Sequence, residues 1–163
     1  MNKVAIIMGS KSDLPVLKDA YDLLKTFGIE VETRVMSAHR TPDAVIKFSA
    51  CAKDNGFDVI IAAAGKAAHL AGVIAAHTSM PVIGIPIKSS FMDGLDSLLS
   101  TVQMPTGVPV ATVGVNAAGN AALIALQILA VNDSKLYNKL VGYKELLKVS
   151  VERDDVDVSN QYK

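Results

Sequence analysis

The feature that most limits how this chain can fold is the alternation of short, unbroken apolar runs with helix-length segments. VAIIM (4–8), VIIAAA (59–64) and VIGIPI (82–87) carry no charged residue on either face. Runs of that length and branching read as strands buried on both sides, an arrangement typical of a parallel sheet covered by helices. Residues 30–36 and 110–115 complete a set of five strands.

Between the strands the helix signals are local. Asp13 and Pro15 open a first helix that stops near Gly28, and Thr41 and Pro42 open a second that stops near Gly56. Further helices are expected at 67–77, 94–103, 117–131 and 134–149, with the charged end ERDDVDVSNQYK fraying. Five strand–helix units joined by right-handed crossovers predict one α/β domain over 1–163. Its architecture is three-layer α/β/α and flavodoxin-like, with a five-stranded parallel sheet in the order 2-1-3-4-5 and a C-terminal helix and tail at about 134–163.

The 163 residues balance 16 Lys and Arg against 16 Asp and Glu, so no net field favours nucleic acid or an anionic membrane surface. The segment AAGNAALIALQILAV (117–131) is apolar nearly all round, which exceeds what one sheet face needs and points to self-association. Gly119, Asn120 and Gln127 interrupt it, and it is too short for a bilayer span. The one cysteine, Cys51, lies in an apolar-periodic stretch, so it is expected to be a small core residue and has no intrachain disulfide partner. MNKVAIIMG does not read as a secretory leader, and a reducing, cytoplasmic setting is expected.

In a sheet of this order ligands bind beyond the carboxyl ends of the strands, beside the switch between strands one and three. The loops there are GSKSD (9–13), SAHRT (37–41) and AGKAAHL (64–70). In the first, Ser10 and Ser12 offer hydroxyls beside a helix N-terminus, a seat for phosphate, and Asp13 either caps the helix or accepts from sugar hydroxyls. The spacing is neither a dinucleotide fingerprint nor a Walker loop. In the second, Arg40 presents a planar fork that suits phosphate, and His39 supplies an imidazole, the side chain most often used as a general acid–base. His69 points the same way, whereas His77 reads as a cap or packing residue. No histidine–carboxylate spacing suggests a metal, and no nucleophile elbow suggests a serine triad.

MGSKSD, SAHRTPD, AAHL, GLDSLLSTVQMPTGVPVATV and NAALIALQIL, in this order over about 4–131, resemble the class I N5-carboxyaminoimidazole ribonucleotide mutases. The resemblance implies a flavodoxin-like homo-octamer that uses neither metal nor organic cofactor and acts on a small ribonucleotide. It implies that His39 is the proton shuttle and that Ser10, Asp13 and Arg40 bind substrate. Ser37, Ala64, Gly65, His69 and Leu70 fall where the family's pocket lining lies. The chain departs from the family pattern at Ala63, Lys66, Ala71 and Val73, which stand where Gly, Gly, Pro and Met are usual. Lys66 is placed to hold a carboxylate, to repel a protonated His39, or simply to reach solvent. Two rivals stay open: a class II-like carboxylase that uses CO2 directly, and a catalytically silent nucleotide-binding protein on the same fold.

Overall fold

The structure is a computed structural model that describes residues 2–163. It divides into two compact units, the first extending to Ala125 and the second comprising Leu126–Lys163. In the first unit, β1 (Lys3–Met8), β2 (Glu30–Val35), β3 (Val59–Gly65), β4 (Val82–Ile87) and β5 (Ala111–Thr112) form one all-parallel sheet in the order β2-β1-β3-β4-β5. This is the expected order. Helices α1 (Leu14–Thr26), α2 (Pro42–Cys51), α3 (Leu70–Ala76) and α4 (Leu95–Val102) connect the strands, and α5 (Ala118–Ala130) follows β5.

Strand alternation sorts the core into two faces. Ala5, Ile7, Ile60 and Ala62 pack in one cluster with Val45 of α2, Phe57, and Leu70 and Ile74 of α3. Ile6, Met8 and Ile61 occupy the alternate positions and are buried, as are Leu17, Ala20 and Leu24 of α1.

Four expectations change. β2 is not buried on both faces: it is an edge strand, and Val35 is 55% exposed. Its charges pair instead, Lys3 with Glu30 (3.6 Å) and Glu32 (3.3 Å), and Arg34 with Glu32 (3.1 Å). A charged edge discourages pairing with a foreign strand. β5 shrinks to two residues, and Pro86 explains why. Gly84 and Pro86 turn their carbonyls toward the β5 side, accepting from Val113 (3.1 Å) and Asn116 (2.9 Å), but proline has no N–H with which to return a bond.

Cys51 is exposed, not a core residue. The buried stripe of α2 runs through Val45 and Ser49 to Ala52 just beyond it, and Ser49 satisfies its hydroxyl by donating to the Val45 carbonyl at 2.7 Å. Finally, the charged end does not fray. In the second unit α6 is a continuous helix over Ser134–Gln161, opened by Asp133, whose carboxylate accepts from the Lys135 and Leu136 N–H groups at 3.0 Å each. No Gly or Pro follows Gly142, and Lys148 pairs with Glu145 (3.1 Å) and Glu152 (3.9 Å) along the helix. Among the described residues no helix is long and apolar enough to cross a membrane.

Gly84, mid-strand in β4, marks a close approach. A Cβ there would stand 2.5 Å from Thr101 Cγ2 and 2.9 Å from Val110 Cγ1. Thr101 is a buried, β-branched residue of α4 that cannot easily swing away. Gly84→Ala is therefore expected to destabilise the fold by about 1–3 kcal/mol, measured by urea unfolding. A wild-type midpoint would show that α4 does not rest on β4 this closely.

Candidate active site

Because all five strands run the same way, the loops after β1, β2, β3 and β4 leave the sheet at one edge. They enclose a cavity of about 450 Å³. All ten candidate residues from the sequence line it: Ser10, Ser12 and Asp13 after β1, Ser37, His39 and Arg40 after β2, and Ala64, Gly65, His69 and Leu70 at or after the end of β3.

The SAHRT loop is fixed by its own polar atoms. The Thr41 hydroxyl accepts from the Ser37 N–H at 2.9 Å and donates to the Ser37 carbonyl at 3.2 Å, while the Thr41 N–H donates to that carbonyl at 2.9 Å. Thr41 sits at the N-cap position of α2 but makes no side-chain cap bond, since its oxygen closes this loop instead. Ser37 Oγ accepts from the Arg40 backbone N–H (3.2 Å) and from its Nε (3.5 Å), and Arg40 Nη2 donates to the Gly9 carbonyl at 2.8 Å. Arg40 therefore spans the β1 and β2 loops, with further guanidinium donors left for an anion.

In the GSKSD loop, Ser10 caps a 3₁₀ turn (Lys11–Asp13) by accepting from the Ser12 N–H at 3.3 Å. Ser12 Oγ lies 2.9 Å from Ser10 Oγ and 3.1 Å from Asp13 Oδ1. Asp13 precedes α1 but makes no cap bond. Its residue is 7% exposed, and burial pushes the carboxyl above the usual carboxylate range, against the opposing effect of the Ser12 and Ser10 hydrogen bonds. A buried carboxylate at the cavity wall suits a partner that brings hydroxyl donors.

His39 Nε2 and His69 Nδ1 lie 2.9 Å apart, their rings edge to face at 5.0 Å between centroids. At that distance one nitrogen donates and the other accepts. The bond occupies Nε2 of His39, leaving its Nδ1 as the ring nitrogen free for a ligand. Sequence reasoning named both histidines but did not pair them, because they are thirty positions apart and their loops come together only through the placement of β2 and β3 on either side of β1. His77 is the C-cap of α3, its Nδ1 donating to the Val73 carbonyl at 2.8 Å.

The cavity also takes Lys66 and, from the β4 loop, Ile87, Lys88 and Ser89. Sequence reasoning missed the β4 loop, although KSS directly after an apolar strand is the same polar-loop signal that marked the other three. Among the described residues no three of His, Cys, Asp and Glu cluster as metal ligands.

The family described as AIR carboxylase matches residues 3–149 of this chain. An N5-carboxyaminoimidazole ribonucleotide mutase of Pyrococcus abyssi is 55% identical over 148 residues, 91% of this chain and 85% of that protein. One of Thermotoga maritima is 52% identical over 151 residues, covering 93% and 88%. The crystal structure of Treponema denticola PurE superposes with a TM-score of 0.85 at 29% identity, over 96% of this chain and 98% of the other.

Asp13 yields a stability prediction whose sign is fixed by its shift. A carboxyl raised on folding binds its proton more tightly in the native state, so stability falls as pH rises from the unfolded value through the folded one. At neutral pH the ionised Asp13 is therefore a stability cost. Asp13→Asn is expected to melt higher than wild type at pH 7, the gap closing as pH drops toward 4. A lower melting temperature at pH 7 would contradict the burial argument.

Proposed function

The chain belongs to the AIR carboxylase family, and from that premise we propose that it is an N5-carboxyaminoimidazole ribonucleotide mutase of de novo purine biosynthesis. As such it is an isomerase that moves a carboxylate from the exocyclic nitrogen of the aminoimidazole to ring carbon C4. The observation that carries this reading is the hydrogen-bonded His39–His69 pair, set beside Arg40 in one cavity at the carboxyl edge of the sheet.

The chemistry balances on a single proton. When the N5–carboxylate bond breaks, CO2 leaves and N5 takes up a proton. C4 then attacks CO2, and loss of the C4 proton restores the aromatic ring. One group that gives a proton to N5 and takes one from C4 ends where it began, so a single well-placed acid–base suffices. His39 fills that role through Nδ1, its tautomer and ring angle set by His69. Ser10, Ser12 and Arg40 receive the phosphate, Asp13 accepts from the ribose hydroxyls, and Ala64, Gly65 and Leu70 shape the wall that holds CO2 between the two half-steps.

A cytoplasmic octamer belongs to the same reading. Within α5, Ala121, Ala122, Ala125 and Leu126 are fully buried, while Leu123, Ile124, Ile128 and Leu129 stay partly exposed and can meet a second copy. α6 adds to this: Leu147, Val151 and Val158 fall within one narrow sector of the helix and are each at least half exposed.

Two measurements test the proposal. His39→Asn is expected to bind substrate yet lose about 10²–10⁴-fold in kcat, assayed as conversion of N5-carboxyaminoimidazole ribonucleotide and, separately, of aminoimidazole ribonucleotide with bicarbonate. Near wild-type kcat would remove His39 from the mechanism, and preference for the bicarbonate route would make the enzyme a carboxylase. By light scattering the wild type is expected to be larger than a dimer, and Leu147→Glu to lower that mass without lowering the monomer's helix content. A wild-type monomer at micromolar concentration would sink the assembly.

A further inference from the structure

Resting on that reading for the substrate's chemistry, we propose that Lys66 is a specificity-determining residue, its ammonium holding the carboxylate that migrates. The argument starts from the backbone. Lys66 has φ +57°, the left-handed region where a side chain crowds its own backbone and which glycine enters freely. Its neighbour Gly65 has no such φ, and a Cβ there would stand 3.2 Å from the Ile87 carbonyl oxygen. A side chain is thus crowded at 65 and costs strain at 66, yet position 66 carries a lysine. Strained non-glycine residues cluster at working sites, where their surroundings hold them in place. Ser100 of α4 stands beside Lys66, its hydroxyl donating to the Asp96 carbonyl at 2.7 Å and lying 3.5 Å from the Lys66 carbonyl oxygen.

Lys66 is an exposed residue at the cavity lining, and among the described residues its ammonium has no ion-pair or hydrogen-bond partner. The other cavity cations differ: one is ion-paired and the other belongs to the proposed phosphate seat. Lys88 pairs with Asp93 at 3.1 Å, and Arg40 is tied to Gly9 on the β1–β2 side. The sheet order puts the β3 loop across β1 from the β2 loop. Lys66 therefore belongs to a different loop from the Ser10, Ser12 and Arg40 seat, with the β3 loop separated by β1 from the loop that carries Arg40. A ribonucleotide of this reaction is anionic at both ends, with its phosphate at one and the carboxylated imidazole at the other. With the phosphate at Ser10, Ser12 and Arg40, the ring is left to the part of the cavity lined by the His39–His69 pair and the β3 loop that carries Lys66. An ammonium has three donors on a flexible stem, so it can follow the carboxylate from N5 to C4. Such a tether binds ground and transition states alike and acts on KM more than on kcat.

Calorimetric titration with two probes decides the matter. 4-Carboxy-5-aminoimidazole ribonucleotide carries the carboxylate; aminoimidazole ribonucleotide has the same phosphate and lacks it. Lys66→Gln is expected to weaken binding of the first about tenfold or more, and to change binding of the second by less than about twofold. Lys66→Gly should show the same selective loss and melt higher than wild type, because glycine relieves the left-handed strain. Lys66→Arg should recover much of the affinity. Unchanged affinity of Lys66→Gln for the carboxylated probe, or an equal loss for both probes, overturns the assignment. Turnover separates this from the function itself: if wild type uses bicarbonate with aminoimidazole ribonucleotide instead, the mutase reading fails while the affinity difference still decides Lys66. A wild type that binds neither ribonucleotide overturns both.

Discussion

The hydrogen-bond ladder of β1, shared with β2 on one side and β3 on the other, is the constraint on which the rest of the site depends. Its last rungs reach into the functional loops. The Met36 N–H donates to the Met8 carbonyl at 2.9 Å, and the Gly9 N–H donates to the Ala63 carbonyl at 3.1 Å. These two bonds set where three loops begin relative to one another, so that His39 from one and His69 from another arrive 2.9 Å apart. A slip of one residue in either pairing would exchange the two differently packed faces of the strand and mismatch both core layers. Burial of Ile6, Ile7, Ile60 and Ile61 thus guards the register of the chemistry as well as the core.

The sheet order was legible because three strands lack polar residues altogether, and that pattern admits few architectures. The cavity residues were legible for a related reason: in a chain half apolar, polar loops at strand ends stand out. What escaped reading depended on tertiary contacts. The exposure of Cys51 follows from a one-position difference in which stripe of α2 faces inward, and a buried Ser49 disguised it. The shortening of β5 is caused by Pro86 on the neighbouring strand rather than by anything in 110–115 itself. The length of α6 rests on the absence of breakers, which says less from sequence than a breaker does. The pairing of His39 with His69 needs the spatial adjacency of two loops and has no signature at either position.

The cavity also concentrates charge and strain that the chain as a whole does not carry. Positive and negative residues balance over 163 positions, yet the cavity wall holds Arg40, Lys66 and Lys88 against the single carboxylate of Asp13. Asp13 is buried at a cost to its ionised form, and Lys66 holds a conformation that favours glycine. Both work against stability locally and are carried by the apolar sheet beneath them, as expected of residues whose placement answers to a ligand.

The Arg40 side chain has a consequence of another kind. Its guanidinium bonds to Ser37 within its own loop and to the Gly9 carbonyl across the gap. A free arginine at a rim would sample many rotamers and surrender that freedom on meeting an anion, which subtracts from affinity. Here the freedom was surrendered when the chain folded. If the phosphate sits here as proposed, it meets a fork already turned by the Ser37 and Gly9 bonds, and less of that freedom is left to lose on binding.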